Sequence, residues 1–98
     1  MSAYLIFQYN ILDRSRINEL GPLIDPLLKK YNGEITIGDY VQELEGAAYS
    51  HIVAYKFSSQ QTALDFYNSP EHQEISKIRN AITNGTVIVV PEFGINHE

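Results

Sequence analysis

The chain has 98 residues, 44% hydrophobic and 19% charged, a globular composition that excludes a disordered polymer. Seven Lys and Arg against twelve Asp and Glu leave a net charge of −5 and no basic stripe for nucleic acid. The sequence holds no cysteine, which excludes disulfides, thiolate metal sites and a cysteine nucleophile.

Residues 4–11 (YLIFQYNI) read as a strand, rich in β-formers and free of Gly and Pro. Leu5, Phe7, Tyr9 and Ile11 share one face; Tyr4, Ile6, Gln8 and Asn10 share the other. Asp13 is positioned to cap a helix over about 14–31, where Ile17, Leu20, Ile24, Leu27 or Leu28, and Tyr31 recur at helical spacing. Gly21-Pro22 and Pro26 predict a kink, or else two short helices broken near Pro22. Asn32-Gly33 stops the helix.

Residues 34–44 predict a second strand with a bulge near Gly38-Asp39, Glu45-Gly46 a turn, and residues 48–57 a third strand. Tyr49, His51, Val53, Tyr55 and Phe57 lie on one face of that strand. Ser58 and Gln61 have capping-box spacing before a short helix that ends near Tyr67. Ser69-Pro70 starts another, with Ile75, Ile78 and Ile82 as its buried stripe and Asn84-Gly85 as its stop. Residues 86–90 (TVIVV) are a last strand, ended by Pro91.

The order β-α-β-β-α-β is the ferredoxin-like arrangement, a four-stranded antiparallel sheet with helices on one face, and the chain reads as one domain over 1–98 with a core of about 3–92. Both strand faces are largely apolar. The face without helices needs a cover, and a second copy packed sheet to sheet supplies it, so a homodimer is expected. No apolar run approaches the roughly 20 residues of a membrane helix. The first residues, Met1-Ser2-Ala3, do not read as a signal peptide, so the cytoplasm is the expected location.

The densest polar cluster is Tyr67-Asn68-Ser69-Pro70-Glu71-His72, with Arg79 seven residues on and on the same helical face. Ser69 and Pro70 serve to start the helix. His72 sits in its first turn, where the dipole disfavours a proton. Arg79 is a fork for a carboxylate or carbonyl ligand, and His72 a directed hydrogen-bond partner. The plainer alternative is a solvated helix face on which Arg79 pairs with Glu71 or Glu74. His51 is a second candidate base inside an apolar region, with strand packing as its alternative. Tyr67 and Asn68 are candidates to orient a substrate. Gln8 and Asn10, polar residues on an apolar strand face, are further candidate contacts. His51, His72 and His97 show no metal-ligand spacing, the six glycines form no phosphate loop, and neither metal nor cofactor is expected. Residues 91–98, His97 among them, read as a terminal tail.

The segment Phe66-Tyr67-Asn68-Ser69-Pro70-Glu71-His72-Gln73, followed by Arg79, Ala81 and Gly85, resembles the signature of the family known as domain of unknown function 1330. Lys30-Tyr31-Asn32-Gly33 and Leu44-Glu45-Gly46 fit the same pattern, so the resemblance spans about residues 3–92. His72 stands where that family usually has a tyrosine, and Pro91-Glu92-Phe93 replaces its usual Glu-Gly ending. The resemblance implies a dimeric α/β barrel, in which two ferredoxin-like sheets pair. Related barrels include cofactor-free monooxygenases, isomerases, dehydratases and simple binders, an analogy at the level of fold.

Three functions are consistent with these residues. One is a small-molecule enzyme, isomerase-like or like a cofactor-free monooxygenase, acting on a small apolar or aromatic ligand with a carbonyl or carboxylate. Another is a non-catalytic binding dimer. The third is a structural dimer with a packed interior. The enzyme is the leading expectation, with His72, Arg79 and then His51 as its catalytic candidates.

Overall fold

Alternation along the first strand sorts the two faces of the sheet. A computed structural model describes residues 1–94, and in it β1 (Ala3–Ile11) buries Leu5 and Phe7 under the helices. The other elements are α1 (Leu20–Lys30), β2 (Glu34–Tyr40), β3 (His51–Phe57), α2 (Gln60–Asn68), α3 (Pro70–Ile82) and β4 (Thr83–Pro91). The strands form one antiparallel sheet in the order β2-β3-β1-β4, a ferredoxin-like α+β fold with its second helix in two pieces. His97 lies outside the described residues.

The registers Leu5↔Tyr55, Phe7↔Val53 and Tyr9↔His51 put those side chains on the helix-covered face, with Val87 and Val89 from β4. There Leu5, Phe7, Tyr55, Phe57, Phe66 and Ile75 form one core with Ile24, Leu27 and Leu28 of α1. Phe66 is fully buried and its ring lies 5.1 Å from that of Phe57. The opposite face carries Tyr4, Ile6, Ile52, Ala54, Ile88 and Val90 and, among the described residues, is covered by no helix.

Several boundaries differ from the sequence expectation. The first helix does not begin at residue 14 and is not broken near Pro22. A single 3₁₀ turn (Ile17–Glu19) precedes α1, and Pro22 falls in the first helical turn, where a backbone donor has no partner to lose. Asp13 caps no helix; its Oδ1 accepts from the Ser15 amide at 3.0 Å and closes a local turn. α2 is capped by Ser59, whose Oγ accepts from the Thr62 amide at 3.1 Å, one residue beyond the expected Ser58. The bulge lies between Ile35 and Ile37, not at Gly38-Asp39. It leaves Ile35 on the helix face opposite Tyr55 and turns Ile37 to the open face opposite Ala54.

β2 stops at Tyr40 and β3 starts at His51, so the ten-residue segment 41–50 replaces the expected tight turn. At its end the Val41 amide still donates to the Ser50 carbonyl at 2.9 Å, while toward β1 the Ser50 amide donates to Asn10 Oδ1 at 2.9 Å and Ser50 Oγ to the Tyr9 carbonyl at 3.3 Å. Asn84-Gly85 does not lie outside the last strand. β4 follows α3 directly at Thr83, and Gly85 pairs with Tyr9. A Cβ at Gly85 would fall on the Gln8 carbonyl and within 2.7 Å of the Tyr9 Cα, so glycine serves a close strand approach there.

Candidate functional site

The start of α3 is built by Ser69. Its Oγ accepts from the His72 amide at 3.2 Å and donates to the Phe66 carbonyl at 2.8 Å, joining α2 to α3 at a fixed angle. That junction points His72 inward among aromatic rings: Phe66 at 4.9 Å, Tyr67 at 5.2 Å and Phe7 at 6.2 Å between centroids. His72 is 0% exposed. Its Nδ1 lies 3.0 Å from the Tyr67 carbonyl, which only accepts, so the ring proton sits on Nδ1 and Nε2 carries a lone pair. Burial lowers the His72 pKa, the Tyr67 carbonyl opposes that shift, and the Arg79 charge adds to it. The imidazole is therefore neutral at pH 7, and burial is the main cause rather than the helix dipole.

Arg79 lies two turns on, with its guanidinium carbon 5.2 Å from the centre of the Phe7 ring. Its Nη2 donates to Ser76 Oγ at 3.1 Å and its Nη1 to Asn80 Oδ1 at 3.3 Å. Glu71 and Glu74, the partners a solvated face would give it, pair elsewhere: Glu71 with Lys30 at 2.9 Å, Glu74 with Lys77 at 3.0 Å. No ion pair of Arg79 occurs among the described residues. Desolvation lowers its pKa, and the phenols of Tyr67 and Tyr55 counter that. Ser76 Oγ also lies 3.4 Å from His72 Nδ1, so one buried hydroxyl touches both residues. Among the described residues two buried side-chain nitrogens are without a hydrogen-bond partner, His72 Nε2 and Arg79 Nε. Such atoms are few in native folds and cost about 1–3 kcal/mol each.

Both residues line a cavity of about 190 Å³ between the helix face of the sheet and α1 and α3. Its wall is apolar: Phe7 and Val53 from the sheet, Ile17, Leu20 and Ile24 from the α1 region, and Ile75 from α3. The phenols of Tyr9 and Tyr55 also reach it. Burial raises both their pKa values, that of Tyr55 to about 12, so both stay protonated hydrogen-bond donors. Asp25, exposed on α1, and Gly21, Ile35 and Thr83 complete the lining.

The other sequence candidates lie off this lining. Tyr67 contributes its carbonyl, which also accepts from Gln73 Nε2 at 2.8 Å, and its ring packs on His72. Asn68 is the exposed last residue of α2. Gln8 is on the open face, paired with Ile52 and Thr86, and Asn10 holds the Ser50 amide. His51 shares the sheet face with Tyr55 but is enclosed by Tyr9 and Tyr40, at 5.3 and 4.4 Å, with Nδ1 2.7 Å from Ser50 Oγ. Asp25, Ser76 and Thr83 carried no sequence signal, whereas Tyr9 and Tyr55 were legible as strand tyrosines of one face. Among the described residues no three His, Asp or Glu side chains converge as metal ligands do, and no helix is long and apolar enough to cross a membrane.

The sequence model of the family described as "Domain of unknown function (DUF1330)" matches residues 2–93, so the chain belongs to that family. No curated protein matches the sequence. Among solved structures, a protein of unknown function from Rhodopseudomonas palustris has a TM-score of 0.77 at 13% identity, covering 95% of this chain and 83% of that one. A dimeric ferredoxin-like protein of unknown function from Jannaschia sp. CCS1 has 0.71 at 18% identity, covering 96% and 100%. SnoaB, a cofactor-independent oxygenase from Streptomyces nogalater, has 0.62 at 6% identity, covering 99% and 98%. At these identities the likeness is one of fold.

Proposed function

We propose that this member of the DUF1330 family is a small-molecule enzyme that moves a proton on a carbonyl compound held in the cavity. The observation that supports it is the pair of buried, unpartnered nitrogens, a donor on Arg79 and an acceptor on His72, carried by two residues that line one apolar cavity. Arg79 holds the substrate oxygen and stabilises the negative charge that develops on it. His72 Nε2 takes the proton from the adjacent carbon and returns it, which makes the reaction isomerase-like. Tyr55, a phenol held protonated, donates to the same oxygen. His72 has no surface open to water, so its base works only on a ligand seated deeply enough to shift the side chains over it. Cofactor-independent chemistry in the SnoaB fold is compatible with this reading, since the protein's own side chains do the work.

The working form we propose is a homodimer in the cytoplasm, paired through the open sheet face. The Jannaschia sp. CCS1 protein, described as dimeric, supports that assembly.

The test is hydrogen exchange at carbon. Acetylacetone, phenylpyruvate and cyclohexanone are incubated with the protein in D₂O and followed by NMR. The wild-type protein should speed deuterium uptake at the carbon next to the carbonyl in at least one of them. His72→Gln should lose the rate while the compound still binds. Binding with no exchange in any compound would make the cavity a non-catalytic binding site. No binding at all would leave the packed dimer as the remaining function.

A further inference from the structure

The cavity's size, charge and hydrogen-bonding groups together restrict what fits in it. An apolar cavity of about 150 Å³ holds benzene. At about 190 Å³ this one holds a single ring with one small substituent, or a short chain of similar bulk. The apolar wall demands an apolar body. The Arg79 guanidinium and the phenols of Tyr9 and Tyr55 donate; the His72 lone pair, the exposed Asp25 carboxylate and the Thr83 hydroxyl, whose proton goes to the Arg79 carbonyl, accept. A ligand matching those donors presents several lone pairs on one oxygen group. Arg79 is the one cation of the lining and lacks a carboxylate partner among the described residues, so it can balance one negative charge. A second charge meets no further cation and lies near the Asp25 carboxylate, which shares the lining and acts on Tyr55.

We infer that the site takes small monoanions with an apolar body, of the size of a singly substituted ring: carboxylates, enolates or phenolates, and not phosphate esters, ammonium compounds or fused multi-ring acids. This inference rests on the reading of the cavity as a ligand site. It narrows that reading to a substrate class.

Calorimetric titration of the intact protein at pH 8 with benzoate, anthracene-9-carboxylate, benzyl phosphate and benzylammonium tests it. Benzoate should bind and the other three should not. Arg79→Gln should weaken benzoate roughly tenfold or more, the loss of a charge-assisted bond, and Arg79→Lys by less. Circular dichroism checks that both variants fold; if Arg79→Gln does not, Arg79→Lys and the selectivity among the four probes still decide. Equal binding of anthracene-9-carboxylate, or tighter binding of benzyl phosphate, would overturn the inference. So would binding of none of the four, even if a carbonyl compound still exchanges deuterium as proposed above. Benzoate selectivity without deuterium exchange would retain the substrate class and refute the catalytic role.

Discussion

A histidine in the first turn of a helix is ordinarily a surface residue, and the sequence alone leaves His72 with either fate. Its burial decides its chemistry. The seal of Phe7, Phe66 and Tyr67 keeps the ring neutral, and the Tyr67 carbonyl fixes which nitrogen holds the proton. The same shift makes stability depend on pH. The folded His72 pKa lies below the ordinary histidine value of 6.5, so the unfolded chain takes up a proton that the folded chain refuses. Stability from this residue is complete above pH 6.5 and falls as pH drops below it, toward the folded pKa. Urea unfolding between pH 7.5 and 5 should show that slope in the wild type and a smaller one in His72→Gln. An identical slope in both would place the dependence on other groups. Arg79 was legible as a helix-face cation. Its lack of an acidic partner was not, because that depends on Lys30 crossing from α1 to take Glu71.

Elements were more legible in type than in extent. Every expected strand exists, since β-branched and aromatic runs such as Tyr4–Phe7 and Thr86–Val90 favour the pleated strand. The Ser69-Pro70 start of α3 was legible because its signal is local: the hydroxyl caps the helix and proline takes its first position. The ends were set by tertiary contacts that sequence does not print. Ser50 is bonded to Tyr9 and Asn10 from forty residues away and to Val41 by one further backbone bond, and 41–50 is a loop rather than a tight turn. Asn84-Gly85 reads as a stop, yet the close approach of β1 keeps both residues in the sheet. The bulge moved to Ile35/Ile37, where Thr36 Oγ1 donates to the Ala54 carbonyl at 3.2 Å. That shift brings Ile35 to the cavity wall.

At the scale of the molecule, one sheet serves two purposes. Its helix face holds the core and the cavity; its open face carries Ile6, Ile52, Ile88 and Val90 with no helix over them. Ile88 is 45% and Ile37 50% exposed in the single chain, an arrangement that a second copy removes from water. Sedimentation at micromolar concentration should give twice the 11.1 kDa chain mass, and Ile88→Asp should shift it to the monomer. A monomer mass for the wild type would contradict the proposed assembly, though not the cavity on the other face. The central claim concerns that cavity, a neutral His72 whose buried Nε2 has no hydrogen-bond partner, beside an Arg79 with no ion-pair partner among the described residues. Its most direct test is ¹⁵N NMR of the imidazole nitrogens at pH 7, with and without benzoate. The account predicts a protonated Nδ1, an unprotonated Nε2, and an Nε2 resonance that moves as benzoate saturates the site. A protonated Nε2, or one indifferent to saturating benzoate, would contradict it.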